Sequence, residues 1–396
     1  VILRAAKWVA GRLLRLVPES LRGRILPAPF GFRVSELPPP PAAPNAAIRV
    51  YIAPVNYAGQ GYQWARAIDR HLPGAGAINM AFRMPGDFGY PADDVVPVSL
   101  FASSRRWQKR QFQYVVDNFT HVVVEAERQP FGAVLDESTF AQVGRLRRRG
   151  LGVLMLCHGT DIRIPSRHAA AYASSPFRDS MRAVAPRLER IARRNHALLA
   201  RLGLPVFVST PDLLFDEPDA DWLPVVVDVA RWQNPTPPLA KPRPVVAHAP
   251  SSGPVKGSDL IDPVLRRLDA EGLIAYRRVQ GVPADRMPEV YRDADIVLDQ
   301  FRIGNYGVAA CEAMAAGRVV VSHVNDFTRG VVRERAGREL PIVEATAEEL
   351  ERALRDIVAD PEPARALAAE GPGFVAAIHD GRRSADVLKP HLEARS

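Results

Sequence analysis

The chain has 396 residues, 47% hydrophobic and 24% charged, with a formal charge of +8. Such proportions exclude a disordered or fibrous protein, and the length accommodates two domains. No apolar run reaches the roughly 18 residues of a membrane-spanning helix, and the two cysteines, Cys157 and Cys311, lie far apart in apolar runs, which reads as two buried free thiols in a reducing compartment.

The chain opens on a basic segment. Up to residue 47 it carries seven bases (Arg4, Lys7, Arg12, Arg15, Arg22, Arg24 and Arg33) against two acids, Glu19 and Glu36. Residues 1–26 read as an amphipathic helix, with Trp8, Val9, Leu13, Leu16 and Val17 among the bases. That pattern suits an anionic membrane interface, and equally a helix packed on the protein's own body. Pro38 to Pro41 and Pro44 follow as a stiff extended linker. Other basic clusters, Arg105 to Arg110, Arg145 to Arg149 and the arginines between Arg178 and Arg201, would attract phosphates or serve as solvated charge.

From Ile48 short apolar strands alternate with helices. Strands are predicted at 48–53, 121–125, 152–157 and 206–209, and helices after the turn 56–61 and over 187–202. A proline-rich connector covers about 216–244. A second alternation then runs through strands at 245–249, 274–279, 295–299 and 319–322. Its predicted helices lie at 259–269, 287–292, 306–316, 347–358 and 361–370. Such alternation predicts an α/β chain with two Rossmann-like parallel-sheet domains facing across a cleft. The expected division is residues 1–47 as an extension, 48–222 as an N-terminal domain, 223–380 as a C-terminal nucleotide domain, and 381–396 as a helix packing back on the N-domain. Ligands in such sheets bind at the carboxyl ends of the strands.

Two segments carry the chemistry. Gly304-Asn305-Tyr306-Gly307-Val308 opens a helix of small residues, Ala309 to Gly317, whose first-turn amides suit a phosphate. Its single acid, Glu312, has only Val308, Ala309, Ala315 and Ala316 as helical neighbours. A carboxylate there is either exposed along a strip or buried with a partner, and a ribose diol would satisfy it. The second segment, His248 to Asp259, ends a strand and places Lys256-Gly257 before a helix, where a lysine can neutralise a diphosphate; Lys-Gly is also an ordinary turn. In the N-terminal half, His158 follows a strand directly and precedes Gly159-Thr160-Asp161, which places it in a cleft or in the core. Asp161 would cap a helix or touch an acceptor. No zinc spacing or nucleic-acid stacking motif occurs.

In this order and spacing, Lys256-Gly257, Gly281, Tyr291 to Leu298, Tyr306-Gly307 and Glu312-Ala313-Met314-Ala315-Ala316-Gly317 followed by Arg318 to Val321 resemble the retaining family 4 (group 1) glycosyltransferases of the GT-B fold, over about residues 245–325. His158 to Arg163 and Ser209 to Leu214 resemble that family's N-domain loops more loosely. The resemblance implies a glycosyltransferase that moves a hexosyl group from a nucleoside diphosphate sugar to a sugar, polyol or lipid-linked acceptor. Transfer would retain the anomeric configuration and need neither metal nor cofactor. It further implies that Glu312 binds the ribose and that backbone at Asn305, Tyr306, Gly307 and Val308 holds the distal phosphate. Lys256 would hold the diphosphate, Gly281 and Val282 the base, Gly59-Gln60-Gly61 the donor phosphates from the other domain, and His158 the donor sugar. Two positions depart from the family pattern: Gly304 stands where an acid is usual and Ser251 where a base is usual. Asp299 or Arg302 would then substitute, or the donor differs, or catalysis is lost. The rival readings are a glycosyltransferase-like binding subunit and a nucleotide-sugar epimerase of the same architecture. The expected location is cytoplasmic, peripheral on an inner membrane face.

Overall fold

The computed structural model describes residues 17–26, 30–33, 35, 37–133, 138–250 and 252–394. Most of the basic amphipathic segment, and Ser251, lie outside the described residues. The proline stretch is extended but is no free spacer. The Pro38 and Pro41 carbonyls accept hydrogen bonds from Arg110 and Tyr114 on the helix Arg105–Asn118.

The first sheet is built from β1 (Ile48–Ala53), β2 (Ala75–Arg83), β3 (Asp94–Pro97), β4 (His121–Glu125), β5 (Gly152–Cys157), β6 (Val206–Val208) and β7 (Asp221–Trp222). Its order is β3-β2-β1-β4-β5-β6-β7, parallel throughout. The second contains β8 (Val245–His248), β9 (Ala275–Arg278), β10 (Ile296–Leu298), β11 (Val319–Ser322) and β12 (Val343–Glu344). Its order is β12-β11-β10-β8-β9, again parallel. Helices cover both faces, so β4, β5, β10 and β11 read as unbroken apolar runs rather than alternating ones. Strand order reverses between β1 and β4 in one sheet and between β8 and β10 in the other, which marks the two places where loops part and leave a crevice.

Strand β2 has no strand-like sequence. Ala, Gly and Asn favour strands poorly, but Asn79 is fully buried and its amide donates to the Ile52 and Val55 carbonyls, both 3.2 Å away. Pairing with β1 overrides propensity there. The helix Glu362–Ile378 likewise runs on through Gly371-Pro372-Gly373, where the sequence predicts an end at 370. Gly371 allows close approach to the helix Val308–Ala315: a Cβ there would lie 2.7 Å from the Met314 carbonyl oxygen.

The chain crosses back at its end. The helix Arg382–Glu393 packs on the N-domain helix Gln60–His71. Trp64 Nε1 and Ser384 Oγ both donate to the Pro224 carbonyl, at 2.9 and 2.8 Å. His379 joins the crossing, with Nδ1 2.8 Å from the Val225 carbonyl while its own carbonyl accepts from Val227 N at 2.7 Å. Among the described residues no helix is long and apolar enough to cross a membrane, and both cysteines are free and buried.

Candidate functional site

The loops at the two reversal points meet across the cleft. In the C-terminal domain the loop after β8 brings Lys256, and the loop after β10 runs from Asp299 to Gly307 into the helix Val308–Ala315. These elements and the 280–291 segment enclose a cavity of about 170 Å³. Lys256, Gly281, Val282, Val308 and Glu312 all line it, with Tyr291 and Met287 beneath. The N-domain closes it with Ala58, Phe88 and Tyr90.

Glu312 projects into this cavity. Among the described residues none gives it a hydrogen bond or an ion pair. Burial pushes its carboxyl up to about 8, partly opposed by the charge of Arg231 and reinforced by that of Asp299. Tyr90 on the facing wall is pushed to about 12 by burial and then by Glu312. An acid held without a partner in an apolar cavity is costly unless a ligand supplies donors.

Lys256 ion-pairs with Asp299, a buried carboxylate at the end of β10. The other Asp299 oxygen accepts from Gly307 N at 3.2 Å. A lysine and a helix-opening amide thus converge on one anion, the arrangement expected of a phosphate site. The sequence did not single out Asp299 as the occupant of that point.

Other residues predicted for this site are placed differently. Gly304 has φ +78, and a Cβ there would lie 2.6 Å from Asn325 Nδ2. An acid at that position would be strained on this loop and would have to displace the Asn325 side chain. Asn305 turns to the other domain and donates to Asp212 at 3.0 Å. The Tyr306 ring points into the core, its hydroxyl 3.2 Å from His379 Nε2. In the turn 59–61 neither flanking glycine lines either of the two cleft cavities, while Gln60 reaches the larger one. Gln60 clamps the crossover chain, donating to the Val226 carbonyl at 3.0 Å and accepting from Val226 N at 2.6 Å. Gly61 faces Asn79 and Glu125, where a side chain would collide with the Asn79 amide. Ala58 stands at the cleft instead, lining both cavities described here.

The second cavity, about 1170 Å³, opens on the N-domain side. His158, at the end of β5, lies on its wall with Nε2 3.3 Å from Glu125 Oε1. Glu125 is wholly buried and accepts from Val55 N at 3.1 Å; burial raises its pKa and the contact with His158 opposes the rise. Tyr57 and Trp64 pack edge-on and tilted against the imidazole. Asp161 closes its own turn by accepting from His158 N at 2.7 Å and from Gly159 N. Ala126 and Glu127 both hold positive φ, 54 and 51, a strain of about 1–3 kcal/mol each. The turn carries the Glu127 carboxyl to Cys157 Sγ at 3.0 Å and Asn195 Nδ2 at 3.3 Å. Glu127, Cys157 and Asp161 lie within metal-binding distance of one another. Burial raises both the Glu127 carboxyl and the Cys157 thiol, and the thiol donates to the carboxyl.

Polar contacts fix the two domains together beside these cavities. Arg302 pairs with Asp179 of the N-domain and with Asp259 at 2.8 Å. His168 Nε2 lies 3.0 Å from the Ile303 carbonyl. Asp212, bonded by Arg163 and Asn305, is pushed up by burial but held below the usual carboxylate range by Arg163 and its hydrogen bonds. Arg302 therefore joins the domains rather than replacing an acid or base in the cavity.

Comparison with known proteins agrees with this fold. Residues 269–373 match the family model of glycosyl transferases group 1. No curated protein matches the chain by sequence. Among solved structures, sucrose-phosphate synthase of Thermosynechococcus elongatus superposes with a TM-score of 0.52 at 14% identity, covering 88% of this chain and 99% of that one. Anabaena HepE, solved with UDP and glucose, gives 0.55 at 12% identity over 88% of this chain and 100% of that one. Residues 269–373 thus carry the group 1 glycosyltransferase pattern, on a chain whose two parallel-sheet domains have the GT-B fold.

Proposed function

We propose that the protein is a glycosyltransferase that moves a hexosyl group from a nucleoside diphosphate sugar to a sugar, polyol or lipid-linked acceptor, with retention at the anomeric carbon. The observation that carries this reading is the interdomain cavity itself. In it an unpartnered carboxylate, Glu312, faces the same space as Lys256, Gly281, Val282 and Val308. A ribose diol supplies the donors Glu312 lacks. Lys256 and the Gly307 amide, both held by Asp299 here, would turn to a departing diphosphate and stabilise it, an effect worth most where water is excluded. Transfer would then need no metal. A UDP- and glucose-bound neighbour of the same fold favours a nucleotide-sugar donor. His158, oriented by Glu125, would contact the donor sugar where the two cavities join at Ala58 and Val308. Asp161 lies on the acceptor side. The basic segment 1–47 would hold the enzyme loosely on an anionic membrane face.

The test is calorimetry with UDP, ADP and GDP, with and without EDTA. Binding of one nucleotide that survives EDTA supports the reading. No binding of any of them would overturn it. Turnover of a bound nucleotide sugar to its epimer would favour the epimerase, and binding without transfer to any acceptor the impaired subunit.

A further inference from the structure

The large cavity has a wall that the donor chemistry does not use. The helix Ala185–Leu202 lays one stripe along it, Arg187, Leu188, Ile191 and Arg194, with Val184 just before its start. Spacing of three and four residues puts these side chains on one helix face. Val184 and Ile191 remain 45% and 37% exposed there, on the cavity wall.

The charges on this wall are uneven. Three neighbouring arginines outside the stripe are paired, Arg193 with Glu189, Arg167 with Asp216, and Arg163 with Asp212, while Arg182 and Arg190 do not line the cavity and Arg128 on its far wall stacks over Phe82. Among the described residues, Arg187 and Arg194 have no acidic partner. The acids on the cavity wall are already engaged, Asp161 in its own turn and Glu127 with Cys157 and Asn195. Two cations about 10 Å apart along the helix axis, with an apolar strip between them, are left facing a concave space. That space reaches the donor cavity at Ala58 and Val308.

We infer that this cavity takes an acceptor bearing a phosphate group next to an apolar chain. Arg187 and Arg194 hold the anion, and Val184, Leu188 and Ile191 cover the chain. The assignment rests on the transferase reading above and adds the acceptor class. Guanidinium pairs favour phosphate through short charge-assisted bonds. The apolar strip distinguishes a lipid phosphate from a free phosphorylated sugar.

The experiment uses the full chain saturated with UDP, titrated with octyl phosphate, octyl glucoside and glycerol phosphate below micellar concentrations. Octyl phosphate is expected to bind about tenfold more tightly than either of the others. Arg187→Gln with Arg194→Gln should erase the preference over octyl glucoside. Val184→Ser with Ile191→Ser should erase the preference over glycerol phosphate. Neither variant should change UDP affinity. Equal binding of octyl phosphate and octyl glucoside, or a preference that survives the arginine substitutions, would overturn the proposal. Equal binding of glycerol phosphate would overturn its apolar half. UDP binding without octyl phosphate binding defeats this inference alone. Octyl phosphate binding that depends on the arginines, without UDP binding, defeats the donor reading and leaves the anion site standing.

Discussion

Each domain brings a glutamate to the cleft, Glu125 wholly buried and Glu312 half-buried on the cavity wall, and the two are treated differently. Glu125, at the end of β4, has a backbone amide on one oxygen and His158 beside the other. Glu312, on the helix after β10, has apolar neighbours and no described partner. Both are desolvated, and burial raises both pKa values. A carboxylate that takes one backbone amide and sits beside an imidazole orients its neighbours, although its second oxygen and His158 Nε2, 3.3 Å apart, make no well-formed hydrogen bond. One open to a cavity beside a lysine and a helix opening gains most from a ligand that brings donors. The contrast separates a glutamate tied to its own domain from one that, under the proposed function, a ligand would complete.

The largest test of that contrast is on the satisfied side. Burial lowers His168, His248 and His379 to about 4 from the usual 6.5. The folded chain therefore binds fewer protons than the unfolded one. Their stabilisation is fully present above pH 6.5 and is lost as pH falls toward 4, at about 3 kcal/mol for each. Urea unfolding at pH 7 and pH 5 should show a loss about 2 kcal/mol smaller in His379→Gln than in wild type. UDP affinity at pH 7 should be unchanged in that variant. A binding defect there would blur the division.

On the unsatisfied side, Glu312→Gln should weaken nucleoside diphosphate binding by about 1.5–3 kcal/mol, ten- to more than a hundredfold. Wild type should discriminate against the 2′-deoxy nucleotide and the variant should not. Wild-type affinity should also climb as pH rises through about 8 and the carboxylate forms, while the variant's stays flat. The stability sign is opposite to that of the histidines. With its folded pKa above the unfolded 4.5, Glu312 favours folding at low pH and loses that contribution as pH rises toward 8. Glu312→Gln should then unfold at higher denaturant than wild type at pH 9. Equal discrimination by both proteins would remove Glu312 from the ribose.

Lys256 belongs to both classes, since it pairs with Asp299 and faces the cavity. Lys256→Ala should lower diphosphate affinity about tenfold and cost about 1–3 kcal/mol of stability, because Asp299 keeps only the Gly307 amide. Adding Asp299→Asn should restore stability without restoring affinity. Recovery of both would mean that the lysine serves the fold alone.

The smallest effect per residue is expected at the N-terminus. Changing Arg4, Lys7, Arg12 and Arg15 to Gln should weaken sedimentation with anionic vesicles by about 1 kcal/mol for each base near the surface. Binding that is equal on neutral vesicles would exclude an electrostatic membrane contact.

Much of this was legible in the sequence. The alternation of apolar strands and helices dictated two parallel sheets, because a strand covered on both faces must be apolar throughout. Lys256, Gly281, Val282, Val308 and Glu312 are gathered by the resemblance to a known family, and they line one cavity. Local pattern could not reveal β2, because its Ala and Asn residues become strand only when paired with β1. Nor could it show the helix continuing through Pro372 against Met314. The phosphate-like seat of Asp299, the clamp of Gln60 on Val226 and the docking of Asn305 on Asp212 join residues far apart in the chain. The lack of an acidic partner for Arg187 and Arg194 among the described residues is of the same kind. Composition lists their charges, but only packing decides which acids are already spent on other partners and which surfaces turn inward to the cleft.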